Sequence, residues 1–308
     1  MSQAATDPAQ PDFATEYEVA LTALVSAKDS WAQTTCERRI ELLQQVKDEL
    51  LKVSKAWAET AARKKLIPEG SPLSGEEWIS GPYAVMSACN GLMQTLSQME
   101  GKRFVDHLPT RELANGQTAV RVLPHSIWDH LLLSGVSAEV WMQRGVTPAN
   151  LKKHAATAYD TPAPRRRGKV SLVLGAGNIA SIAPLDVFQK LFLENQVVIL
   201  KMNPVNDYLT DVLRVALKPL IDCDALRIVK GDGAAGAYLT DHPIIEELHA
   251  IAETQIRIGA GGRTLELNEM PWEADAGLRI RPVPGLSIEV GVGTGILAGY
   301  GSPSVRGY

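Results

Sequence analysis

The stretch from Val170 to Asn203, VSLVLGAGNIASIAPLDVFQKLFLENQVVILKMN, constrains this chain more than any other. Residues 170–174 form a short apolar run that reads as a buried strand, and Gly175 and Gly177 break it. Pro184 suits the first turn of a helix reaching about Glu194, and residues 197–200 give a second buried strand. Strand, tight turn, helix and strand in this order predict a βαβ unit, the building block of a parallel sheet. Asn178 falls just past the carboxyl end of the first strand and Lys201 ends the second, where open α/β sheets place their ligands. An amide and an ammonium at adjacent strand ends point to a polar ligand, anionic or ribose-bearing.

The alternation continues downstream. Residues 207–220 have one apolar side, and a third strand is expected at 226–229. Gly231, Gly233 and Gly236 then open a short helix reaching about Leu239, and residues 247–250 read as a fourth strand. Upstream, residues 15–65 are helical in pattern. Leu21, Leu24, Val25 and Trp31 share one face, as do Ile40, Leu43, Val46, Leu50 and Val53. Ser74 and Glu77 have the spacing of a capping box for a helix over 76–99. Residues 118–123 alternate as a strand, and 139–142 suggest another. Residues 155–167, with Pro162, Pro164 and the run Arg165–Arg167, read as a solvated linker. Beyond His249 long helical periodicity disappears and glycine becomes frequent, with one strand expected at 286–292. The organisation expected is a disordered lead-in over 1–14, a helical and mixed region over 15–165, a cofactor-binding region over 166–250 and an atypical glycine-rich tail over 251–308.

The 308 residues suffice for one large domain or two ordinary ones, and the 45% hydrophobic and 21% charged content is that of a globular protein. A net charge of −4 argues against a nucleic-acid partner. No apolar run reaches the ~18 residues of a membrane span. The polar N-terminus has no signal-peptide core, and Cys36, Cys89 and Cys223 lie far apart, so a reducing cytoplasmic location is expected. No histidine spacing marks a metal site, and no metal is expected.

Each candidate residue has two readings. The turn Gly175-Ala176-Gly177 permits positive φ and close ligand approach, or is only a turn. Asn178 could hold an oxyanion, or cap the turn. Lys201 could donate to ribose hydroxyls or a phosphate, or be a surface lysine. Gly231, Gly233 and Gly236 have the spacing of the dinucleotide fingerprint, but in the third unit rather than the first. Arg38 and Arg39 could lower the Cys36 pKa, whereas Asp222 and Asp224 disfavour a thiolate at Cys223.

Together these segments resemble the N-terminal, cofactor-binding half of the aldehyde dehydrogenase superfamily over roughly residues 15–250. GAGN at 175–178 stands where that family has Pro-Trp-Asn, so the resemblance implies that Asn178 holds an oxyanion. KMNP at 201–204 resembles the family's Lys-Pro-Ser-Glu segment, which implies that Lys201, with Asn203 beside it, meets the adenosine ribose. GDGAAGAYLTDHPIIEELH resembles its glycine-rich turn, short helix and strand, and implies cofactor contacts at Gly231, Gly233 and Gly236. The implied fold is α/β, an N-terminal helical region followed by an incomplete Rossmann-like parallel sheet. The implied activity is NAD- or NADP-dependent oxidation of a small-molecule aldehyde to a carboxylic acid.

The departures are as informative. The family's acidic residue in the lysine segment is replaced by Pro204, which leaves NAD against NADP open. The chain reads HAIAET where the family has Thr-Gly-Ser, and Glu266 lies in a segment without the glycines that accompany the family's general base. No cysteine follows Cys223, so the family's thiohemiacetal cannot form there. The expectation is a truncated or frameshifted member with little or no dehydrogenase activity. The alternative is a non-catalytic module that binds a dinucleotide or a second subunit, with homo-oligomerisation left open.

Overall fold

The computed structural model describes residues 13–124, 127–132, 135–250, 273–283, 286–295 and 306–307. The expectations for residues 1–12, for Glu266 and for HAIAET beyond Ala250 lie outside them. Two compact units divide after residue 257.

The first unit begins with two long helices, α1 (Ala14–Ala32) and α2 (Cys36–Lys64). The helical pattern over 15–65 is broken at residues 33–35, where Thr35 turns extended and its side chain accepts the Arg38 N–H to cap α2. Tyr17, Leu21, Leu24 and Trp31 of α1 and Leu43, Val46, Leu50 and Trp57 of α2 are buried. Each such side chain contributes about 1.5–3 kcal/mol through removal from water. Next come α3 (Ser74–Trp78) and α4 (Ala84–Ser97), joined by a π-helical turn. The capping box does not form. Ser74 lies inside α3 and its hydroxyl donates to the Ser71 carbonyl, while Glu77 is buried and pairs with Lys65 at 2.7 Å. Gly81 and Pro82 break the regular ladder between α3 and α4, so the single helix expected over 76–99 is in three pieces.

A small antiparallel sheet follows, with strands β1 (Thr110–Glu112), β2 (Thr118–Leu123) and β3 (Ala138–Trp141). Helices α5 (Ile127–Leu132) and α6 (Leu151–His154) flank β3 in sequence. Val105, Val120, Val146 and Leu151 form a separate small cluster beneath this part.

The parallel sheet consists of β4 (Val170–Leu174), β5 (Val197–Lys201), β6 (Leu226–Val229) and β7 (Glu247–Ala250), in the order β6-β5-β4-β7. All three pairings are parallel. The crossovers are α7 (Ile182–Phe188), then α8 (Thr210–Ala216) and α9 (Lys218–Asp222), then α10 (Gly233–Thr240). This is the α/β, Rossmann-like arrangement expected, with the order reversing between β4 and β7. One hydrophobic core holds residues of α1, α2, α4 and the sheet together and runs unbroken past residue 165.

Residues 155–167 are not a free linker. Tyr159 is packed into the body and Arg166 donates to the Thr161 carbonyl at 2.8 Å; Arg165 and Arg167 are the exposed members of the run. In the second unit β8 (Glu273–Val283) and β9 (Leu286–Gly295) pair antiparallel, and β10 (Arg306–Gly307) adds to β9. The strand expected at 286–292 is therefore present and longer. Among the described residues no helix is long and apolar enough to cross a membrane.

Candidate functional site

Three turns meet at the carboxyl ends of β4, β5 and β6, and hydrogen bonds tie them together. The Gly175 N–H donates to the Lys201 carbonyl at 2.9 Å, and the Met202 N–H to the Val229 carbonyl at 2.9 Å. Asn206, buried in the turn after β5, donates its amide N–H to the Ala176 carbonyl at 3.1 Å. The structure thus brings together Gly175, Ala176, Gly177, Lys201, Asn203 and Gly231, which the sequence scatters over 57 positions (231 − 175 + 1).

Gly175 and Gly177 are not glycines for the reason expected. Neither adopts a positive φ. They are needed for close approach: a Cβ on Gly175 would stand 3.3 Å from the Lys201 carbonyl oxygen, and one on Gly177 3.1 Å from the Asn203 side-chain amide. The β4–α7 turn therefore lies flat against the β5 turn. Asn203 fixes its own loop by accepting the Val205 N–H at 3.0 Å.

Asn178 is exposed, and its Oδ1 accepts the neighbouring Ile179 N–H at 2.9 Å. Ser181, not Asn178, precedes the first residue of α7, and the Ser181 N–H donates to the Ser80 carbonyl at 3.2 Å. The start of α7 is thereby partly engaged by the α3–α4 connection.

Lys201 is the most unusual residue of the site. It is 7% exposed, so it is not a surface lysine. Among the described residues its ammonium makes no hydrogen bond or ion pair. Lys190 is as buried, yet it is paired with Glu194 at 2.7 Å and Glu247 at 3.4 Å. Burial pushes the Lys201 pKa down, and the Asp232 carboxylate acts in the opposite sense. The Lys201 side chain is thus largely buried, with its cationic end at the carboxyl ends of the parallel strands, where a polar ligand would meet it.

At the glycine motif 231–236 the structure shows close packing and a capped helix start. Gly231 sits where a Cβ would overlap the Ala235 methyl and the Tyr17 hydroxyl and approach the Lys201 Cε at 3.7 Å. Its role is close packing of α10 and α1 against the strand end. Gly233 and Gly236 have open space around them and need no glycine. The start of α10 is occupied by Asp232, whose Oδ1 accepts the Ala234 and Ala235 N–H groups at 3.0 and 3.1 Å. These bonds hold its carboxyl below the usual carboxylate range. A phosphate at this helix start would have to displace that carboxylate.

Sequence reading missed two residues here. Asp232 bears the ordinary N-cap signal, an aspartate just before a helix. Tyr17 lies 184 positions from Lys201 (201 − 17), and no local signal connects them. Its hydroxyl donates to the Lys230 carbonyl, and its ring stacks on Phe13 at 5.1 Å beside Tyr238 at 6.2 Å. This aromatic cluster closes the site on the β6 side.

The three cysteines are elsewhere. Cys223 precedes β6, at the opposite end of the sheet, and Cys89 is buried in α4 with its thiol pushed up to about 12 by burial. Cys36 starts α2, and burial raises its pKa; the nearby Arg39 opposes this but does not win, contrary to the lowering expected from sequence. Among the described residues no group of three or more His, Cys, Asp or Glu side chains could hold a metal ion.

No protein-family sequence model matches the chain, and neither does any curated protein. Solved structures do match by fold. An aldehyde dehydrogenase from Bartonella henselae is 15% identical with a TM-score of 0.45, covering 76% of this chain and 38% of that one. An NADP-dependent glyceraldehyde-3-phosphate dehydrogenase from Bacillus halodurans C-125, complexed with NADP, is 14% identical with a TM-score of 0.42, covering 76% and 39%. Proline utilization A from Bradyrhizobium japonicum is 18% identical with a TM-score of 0.43, covering 76% and 19%. The chain thus spans well under half the length of each.

Proposed function

We propose that residues 13–250 bind a nicotinamide dinucleotide, NAD or NADP, across the carboxyl ends of β4 and β5. The observation that carries this reading is Lys201, a largely buried lysine at the end of β5 with no hydrogen bond or ion pair among the described residues. Ribose hydroxyls accept hydrogen bonds from an ammonium without requiring it to give up its proton, and a dinucleotide supplies them together with a flat apolar base. The residues that would hold the ligand are Lys201, the Asn203 side chain and the flat Gly175–Gly177 turn. Gly233 and Gly236 are dropped from the set, because a helix start capped by Asp232 does not fit a pyrophosphate. When bound, such a cofactor accepts or donates hydride.

We further read the site, from its sequence resemblance, as that of an aldehyde dehydrogenase-type protein whose chemistry is oxidation of an aldehyde. Asn178 would be the oxyanion donor. None of Cys36, Cys89 and Cys223 lies at the sheet end, and burial raises all three thiols, so none is placed as the nucleophile. These 308 residues are therefore read as binding the dinucleotide without turning over an aldehyde. Calorimetric titration with NAD and with NADP tests this. Saturable binding by the wild type is expected, weakened at least about tenfold in Lys201→Ala by loss of a charged donor. Absence of binding by both cofactors, or equal binding by the variant, refutes it.

A further inference from the structure

Away from the sheet end, the start of α2 carries an unbalanced positive charge. Arg39 is wholly buried, with no carboxylate beside it among the described residues. Its Nε donates to the Thr34 carbonyl at 3.2 Å and its Nη2 to the Trp31 carbonyl at 2.9 Å. Its Nη1 donates to the Leu191 carbonyl at 2.9 Å and the Tyr159 hydroxyl at 3.2 Å. These bonds satisfy N–H groups but leave the charge uncancelled. A second guanidinium, that of Arg166, lies 4.8 Å from the Tyr159 ring, and Arg39 lies 5.6 Å from the same ring. Among the described residues the Arg166 side chain donates only to the Thr161 and Tyr159 carbonyls. Two like charges thus flank one phenol with no acid between them.

Tyr159 and Arg166 form one wall of a cleft of about 1110 Å³. That is slightly above the ~300–1000 Å³ typical of small-ligand sites. Its floor is apolar, made by Ile40, Leu96, Met99 and the Tyr159 ring. Five cations line it (Lys102, Arg103, Lys152, Lys153 and Arg166) against three acids (Glu37, Glu100 and Asp160), and Arg39 adds a sixth cation behind the wall. Lys102 is paired with Asp160 at 2.6 Å, and Lys152 with Asp106 at 2.5 Å. Arg103 and Lys153, both exposed, have no partner among the described residues. The first turn of the 29-residue helix α2 also opens here, with its positive dipole end.

We propose that this cleft binds an organic phosphate, its apolar part on Ile40, Leu96, Met99 and Tyr159 and its phosphate against Arg166, with Arg103 and Lys153 at the rim. A doubly charged anion supplies the counter-charge that Arg39 and Arg166 lack, and the apolar floor selects against a bare inorganic ion. The site is separate from the sheet end and does not depend on dinucleotide binding there.

Cys36 lines the cleft and reports its occupancy. In the full chain carrying Cys223→Ser, alkylation of Cys36 at alkaline pH is followed with octyl phosphate, octanoate and 1-octanol as probes. Octyl phosphate is expected to slow alkylation at least about fivefold at saturation, with the other two weaker by about tenfold in concentration. Arg103→Ser combined with Lys153→Ser, expected to melt like the parent, should raise the octyl phosphate concentration needed by about tenfold. No protection by octyl phosphate, equal protection by octanoate or 1-octanol, or an unchanged double variant would overturn the proposal.

Discussion

Burial of the Lys201 side chain disfavours its charged form, and the Asp232 carboxylate offsets only part of this. The folded pKa of Lys201 is lowered by desolvation. Between that value and the ordinary lysine value the unfolded chain binds more protons, so stability rises with pH through this window, and below it the full penalty applies. Wild type is therefore expected to gain stability relative to Lys201→Met between about pH 7 and about pH 10. Denaturant unfolding at the two pH values checks this, and a pH-independent difference would count against the buried ammonium. From sequence alone Lys201 read equally well as a surface lysine. Its surroundings are remote in sequence: the Gly231 turn lies beside its Cε, with the Tyr17 hydroxyl of α1 against the same turn, and no local pattern encodes an arrangement across 184 positions (201 − 17). The same holds for Cys36, where neighbouring arginines were visible in the sequence but the burial that outweighs them was not.

At the scale of elements, the glycine motif after β6 separates packing from ligand binding. Gly231→Ala forces a methyl into Ala235 and Tyr17 and is expected to cost about 1–3 kcal/mol. Gly233→Ala and Gly236→Ala lie in α10 with free space around them, and each is expected to stabilise by about 0.5–1 kcal/mol without weakening cofactor binding. Were the motif a phosphate cradle, these two changes would instead weaken binding; urea unfolding with a parallel NAD titration distinguishes the cases. Strands β4, β5 and β6 were legible because each is a short, largely apolar run closed by glycine or a charged residue, whereas β7, Glu247–Ala250, was legible chiefly from its place in the alternation. The helix pieces between 74 and 97 were not, since Gly81 and Pro82 interrupt a continuous apolar pattern with a turn that periodicity does not reveal. The glycine spacing at 231–236 was legible as a motif, but its meaning depended on Asp232 taking the helix start.

On the scale of the whole molecule, the helices before residue 165 and the sheet after it share one core. Arg39 joins α1 to the Leu191 turn and Tyr159 through that core. Arg39→Ala removes four hydrogen bonds and the packing of a fully buried side chain, and is expected to destabilise by about 3 kcal/mol, lowering the single melting transition of residues 13–250 rather than splitting it. Two separate transitions in calorimetry would show that the helical region and the sheet are independent instead. Composition and patterning anticipated the α/β class, yet not this sharing, because an apolar helix face does not say which partner it meets. The dinucleotide reading makes its most direct demand on amide hydrogen exchange with and without NAD. Protection is predicted at residues 175–181 and 201–206, the turns around Lys201. Protection centred on residues 233–240, or none anywhere in residues 13–250, would contradict it.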